Sequence, residues 1–143
     1  NRPIYWLIGA DCQDSEVHIE TFIRRELAGY TGLCNVEMIG SHIIEVHLRG
    51  SNAFFDYYPD TFMQAWVNLV DHQTWQGLEP ISQGCLYSLF GDWTLPENAE
   101  QLVEASGARL YRDGMMADRV GIIFADCPEA AQRIEAQLKP STH

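Results

Sequence analysis

Two tripeptides place reactive residue types where a strand hands over to a helix. Asp11 and Cys12 follow the apolar run Ile4 to Ile8, and Asp126 and Cys127 follow Val120 to Phe124. The first N–H groups of a helix lack internal partners and can hold an anion or a ligand carboxylate. A thiol at that end would be acidified and made nucleophilic. Capping competes with that chemistry: an aspartate before a helix takes up the orphan N–H groups itself, and the cysteine packs beneath it. Capping alone accounts for acids at both junctions. The four residues are therefore candidate binding residues whose simplest role is structural.

A second candidate is the stretch Phe54, Phe55, Asp56, Tyr57, Tyr58, followed by Asp60. Aromatic residues in a loop bury much area for little entropy and are enriched at binding surfaces. The same rings could instead fold over an uncovered sheet face. Trp93, and with it Trp75, lies at another polar junction and could extend the patch. Trp66 has helical spacing with Phe62, Leu69 and Val70 and reads as core.

The histidines offer less. His42 and His47 are five residues apart in an alternating segment and so point to opposite faces. His47 and Glu45 share one face, as on any solvated strand. No H-E-x-x-H or Cys/His cluster appears, and no metal site is expected. G-x-S-x-G, P-loop and dinucleotide fingerprints are absent too, so no cofactor is expected and no catalytic triad is selected. The four cysteines, Cys12, Cys34, Cys85 and Cys127, form no C-x-x-C pair, and Cys85 reads as a buried thiol.

Each candidate needs elements to hold it. Pro128 opens a helix with Ala131, Ile134 and Leu138 on one face. A helix with Ile19, Phe22, Ile23 and Leu27 follows Cys12. Val36 to Ile39 and His42 to Arg49 read as strands, with Ile44, Val46 and Leu48 facing inward. Asp60 opens the helix of Phe62 and Trp66. After a polar stretch, His72 to Gln83, come a strand at Cys85 to Phe90 and a helix with Ala99, Leu102 and Val103. Ala108 to Arg112 and Asp118 to Phe124 form a strand pair. Ile4 to Ile8 is apolar without alternation, which suits a strand buried on both faces.

Each half, 1–74 and 75–143, thus reads strand–helix–strand–strand–helix. That is an α+β arrangement, the split βαβ order without its fourth strand, and it implies an internal duplication. The missing strand can be borrowed from the other half or come from the linker. One face of such a sheet carries helices. The other must be covered by the second half, as a pseudo-dimer, or by a partner chain, as in a homodimer.

The element order resembles tandem ferredoxin-like domains, including ACT-type regulatory modules that bind amino acids at strand–helix junctions. Gly9-Ala10-Asp11 is similar to the start of such a unit. The resemblance covers that junction and the element order, and it implies a regulatory, ligand-binding role. The small, acidic and aromatic character also resembles immunity and inhibitor proteins.

Bulk properties bound the rest. The chain has 143 residues, 46% of them hydrophobic, and a net charge of −11 with Lys139 as its one lysine. That charge disfavours nucleic acid and anionic membrane surfaces and is compatible with a basic protein partner. No apolar run is long enough to cross a membrane, no charged-then-apolar leader is visible, and a cytoplasmic protein is expected. The chain begins at Asn1 without Met, which leaves a removed leader open. The expectation is a non-catalytic regulatory or binding protein. An acidic inhibitor of a basic partner is the alternative, and an enzyme with a cleft between halves, using Cys12 or Cys127, is the third.

Overall fold

The computed structural model describes residues 3–50, 57–79, 82–112 and 117–140. Among them are six strands and four helices: β1 (Tyr5–Ile8), α1 (Gln13–Glu26), β2 (Asn35–Ile39), β3 (His42–His47), α2 (Phe62–His72), β4 (Gly84–Phe90), α3 (Ala99–Glu104), β5 (Arg109–Tyr111), β6 (Arg119–Ala125) and α4 (Pro128–Leu138). The chain is mixed α+β with two sheets, one of four antiparallel strands in the order β1-β4-β6-β5 and one of two, β2-β3.

Two compact units are present, residues 1–9 with 83–143, and residues 10–82. These bounds differ from the division at 74/75 expected above, because β1 leaves its own half and pairs with β4. The second unit is an insertion between two antiparallel neighbours. Gly9 and Gln83 close the first unit where the insertion departs and returns. The Gln83 side-chain amide donates to the Gly9 carbonyl at 3.3 Å. Gly9 has φ +69°, and a Cβ there would stand 2.9 Å from Gln83 Cγ, so both backbone and space require glycine.

In the first unit the elements of 83–143 form as their periodicity dictates. Cys85, Tyr87 and Leu89 of β4 and Ile123 and Ala125 of β6 alternate onto one sheet face. Ala99 and Val103 of α3 and Ala131, Ile134 and Leu138 of α4 pack against them. Pro128 lies in the first turn of α4 with Glu129, which suits the positive end of the helix. Gly107, at φ +73°, lets the chain turn back after α3 so that the Ala108 N–H reaches the Val103 carbonyl at 3.2 Å. Arg112 forks onto Glu100, tying the end of β5 to α3. β1, from the N-terminal end of the chain, completes this sheet by pairing with β4.

Two expectations change. β1 is an edge strand, not one buried on both faces. Tyr5 and Leu7 share the helix-bearing face but lie beyond helix cover, so they are exposed while Ile8 is buried. The duplication is not found in the described sheets, since β2 and β3 pair only with each other.

In the unit 10–82, Gly40 at φ +57° turns the β2–β3 hairpin. A bulge follows Glu37, where Glu37 faces Glu45 but Met38 faces Ile43, so Ile44 is the extra residue. The inward face read for Ile44, Val46 and Leu48 is broken there, and Ile44 and Leu48 are exposed. α1 has no fully buried residue, whereas α2 buries Phe62 and Ala65.

Candidate functional site

The strand–helix junctions do little that is chemical. Cys12 is the cap residue of α1 and is exposed, and Cys127 caps α4 and is half-buried. Neither side chain makes a capping hydrogen bond. The Asp11 carboxylate, one residue before the cap position, accepts from the Gln13 N–H at 3.2 Å, while Cys12 is exposed and does not pack beneath it as expected above. Asp126 is exposed. Cys85 is fully buried, and that burial, with smaller effects from Cys127 and Glu129, pushes its thiol up to about 11.

The aromatic candidates separate. Phe54 and Phe55 lie outside the described residues. Tyr57 is buried, and Tyr58 stacks on Phe62 with ring centroids 4.3 Å apart. Trp93 is half-buried beside the core of the first unit and donates from its indole N–H to the Phe90 carbonyl at 3.2 Å. The hydroxyl of Ser88 is buried with no hydrogen-bond partner among the described residues, so no base there activates it.

The structure gathers a different set of residues inside the unit 10–82. A hollow of about 540 Å³ is lined by the loop from Tyr30 to Leu33, by Leu48, Arg49 and Gly50 at the end of β3, and by Met63, Trp66 and Val70 of α2. That volume is the size of an ordinary small-molecule site. Met63, Trp66 and Val70 recur at three- and four-residue steps and present one helix face. Trp66, read above as core, is half-buried and forms part of this wall. The Tyr30 hydroxyl donates to the Leu33 carbonyl at 2.8 Å and lies 3.3 Å from that of Leu48, fastening the loop to the strand end. A Cβ at Gly32 would lie 2.6 Å from that hydroxyl, so only glycine admits the ring.

Arg49 is the one charged residue in the lining. Of the three arginines between residues 10 and 82, Arg24 pairs with Glu20 at 2.6 Å and Arg25 with Glu26 at 2.5 Å. Arg49 donates only to the Gly50 carbonyl and has no carboxylate partner among the described residues. A smaller hollow, about 290 Å³, lies beside Asp14, Ser15, His18, Met38, Gly40 and Ser41.

On the hairpin, the structure adds Glu37 to the His47 and Glu45 pair read from the sequence. The His47 Nε2 stands 3.2 Å from Glu45 and 3.6 Å from Glu37. Glu37 was missed because it reaches His47 across the strand pair. No helix among the described residues is long and apolar enough to cross a membrane.

Comparison of the chain with protein-family models, with curated proteins and with solved structures finds no match in any of the three.

Proposed function

We propose that the chain is a non-catalytic binding protein whose unit 10–82 takes up a small amphipathic anion, an aromatic or acyl carboxylate, in the hollow beside Arg49. One observation carries the reading: in a chain of net charge −11, the arginine at an apolar hollow has no carboxylate partner among the described residues. Apolar walls favour a ring or short acyl chain, and a guanidinium can hold a carboxylate through two parallel hydrogen bonds. The first unit supplies the scaffold. Its strand order is that of a split βαβ sheet, read here as ferredoxin-like, and a regulatory role follows by analogy with ligand-binding modules of that type.

Calorimetry with 3-phenylpropionate and octanoate tests this. One of them should bind once per chain, and Arg49→Gln should weaken it by about tenfold or more, the scale of a lost charge-assisted pair. Equal binding of the matching alcohols, or no effect of the substitution, defeats the reading. A second reading, an acidic inhibitor of a basic partner, rests on the net charge and on the exposure of Met63, Val67 and Val70 along α2. Such a complex would dissociate as salt rises.

A further inference from the structure

We propose that Glu37, Glu45 and His47 form a site for a divalent transition-metal ion, with Zn²⁺ as its best-matched occupant. The donors come from two paired strands. Glu37 and Glu45 are direct cross-strand partners, and His47 follows Glu45 by two residues, on the same face. The bulge at Ile44 comes immediately after this pair toward the turn and leaves the three in register.

Two carboxylates in direct opposition across a strand pair repel and destabilise it. A cation between them reverses the sign of that interaction. The imidazole decides which cation. One ligand atom from each residue lies within 4.8 Å of the others, and the two nitrogen–oxygen separations, 3.2 and 3.6 Å, are close to the edge of a tetrahedron around Zn²⁺. Metal–ligand bonds of about 2.0–2.2 Å imply that edge. Calcium and magnesium prefer all-oxygen shells with more donors, while imidazole with carboxylate suits zinc. His47 is half-buried and the glutamates are exposed, so a fourth position faces solvent for water. Strand pairing fixes the three backbone positions relative to one another.

Cysteines elsewhere also bind zinc, so the test separates the sites. Titration of the full chain with ZnCl₂ in the calorimeter should give one strong site per chain. His47→Gln and the Glu37→Gln/Glu45→Gln pair should each weaken it by about tenfold to a hundredfold, with circular dichroism confirming that both variants fold. Mg²⁺ in excess should not compete. Co²⁺ binding to the unmodified chain gives a second readout that needs no substitution. A visible spectrum of nitrogen and oxygen ligation, without the near-ultraviolet band of thiolate ligation, supports the hairpin site. The proposal fails if the substitutions leave zinc affinity unchanged, if the Co²⁺ spectrum shows thiolate ligation, or if no strong site exists.

Discussion

The phenol of Tyr87, in the middle of β4, donates to the Glu135 carboxylate on α4 at 2.8 Å, and Glu135 in turn holds Lys139 at 2.9 Å. This links the sheet to the helix across its buried face, where Tyr87 is only 6% exposed. A partly buried hydrogen bond to a charged acceptor is worth about 1.5–3 kcal/mol. Tyr87→Phe should therefore cost about 2 kcal/mol in urea denaturation, with little change in m-value. A loss below about 0.5 kcal/mol would mean that the pair contributes no more than a surface contact.

The same region sets an alkaline limit. Burial raises the Tyr87 phenol from 10.0 to about 12, helped by Glu135, and raises the Cys85 thiol from 9.0 to about 11. Both folded values exceed the unfolded ones, so the fold favours the protonated forms. Their contribution is complete below pH 9, falls as pH rises toward the folded values, and is spent once both groups ionise in the fold. Denaturation midpoints should drop between about pH 9 and 12. Cys85→Ala should flatten the first part of that fall and Tyr87→Phe the later part. A flat profile to pH 11 contradicts the account.

Packing differs sharply between the units. Ile134 is buried in the α4 interface, whereas Val17 on α1 is exposed. Ile134→Ala should cost about 3 kcal/mol, the loss of a core side chain with its cavity. Val17→Ala should stay within about 0.5 kcal/mol. Thermal unfolding of both variants checks the contrast.

The thiols differ by exposure. Cys12 is exposed, Cys34 and Cys127 are half-buried, and Cys85 is buried. Maleimide should modify Cys12 first, Cys34 and Cys127 more slowly, and Cys85 only on unfolding, as followed by mass spectrometry. Rapid loss of the Cys85 thiol in native protein would contradict its placement.

The buried tyrosine before α2 makes a fifth test. Tyr57 is 8% exposed, so Tyr57→Ala should cost about 3 kcal/mol, as in a core. A nearly neutral change would return Tyr57 to the role of a contact residue.

Local periodicity made most of the first unit legible. Ala131, Ile134 and Leu138 repeat at helical spacing and all three are buried. β4 and β6 were legible as apolar runs, and their pairing decides which of those residues share the helix-bearing face. β1 was legible as a strand but not as an edge strand, because its place depends on pairing with β4, far along the chain. The bulge at Ile44 shifts faces within a strand whose sequence still alternates. The hollow was not legible, for two reasons. Its lining comes from three separate segments, and Arg49 becomes informative only when Arg24 and Arg25, the other arginines of the unit, are seen to hold glutamates. No spacing in the sequence encodes which charge lacks a carboxylate partner among the described residues.

Backbone amide shifts under titration with 3-phenylpropionate test ligand binding in the hollow most directly. The account predicts saturable shifts at Tyr30 to Leu33, Leu48 to Gly50 and Met63 to Val70, all lost in Arg49→Gln and weakened in Gly32→Ala, where the new Cβ displaces the Tyr30 ring. Saturable shifts confined to other segments, or the same shifts persisting in Arg49→Gln, would contradict it.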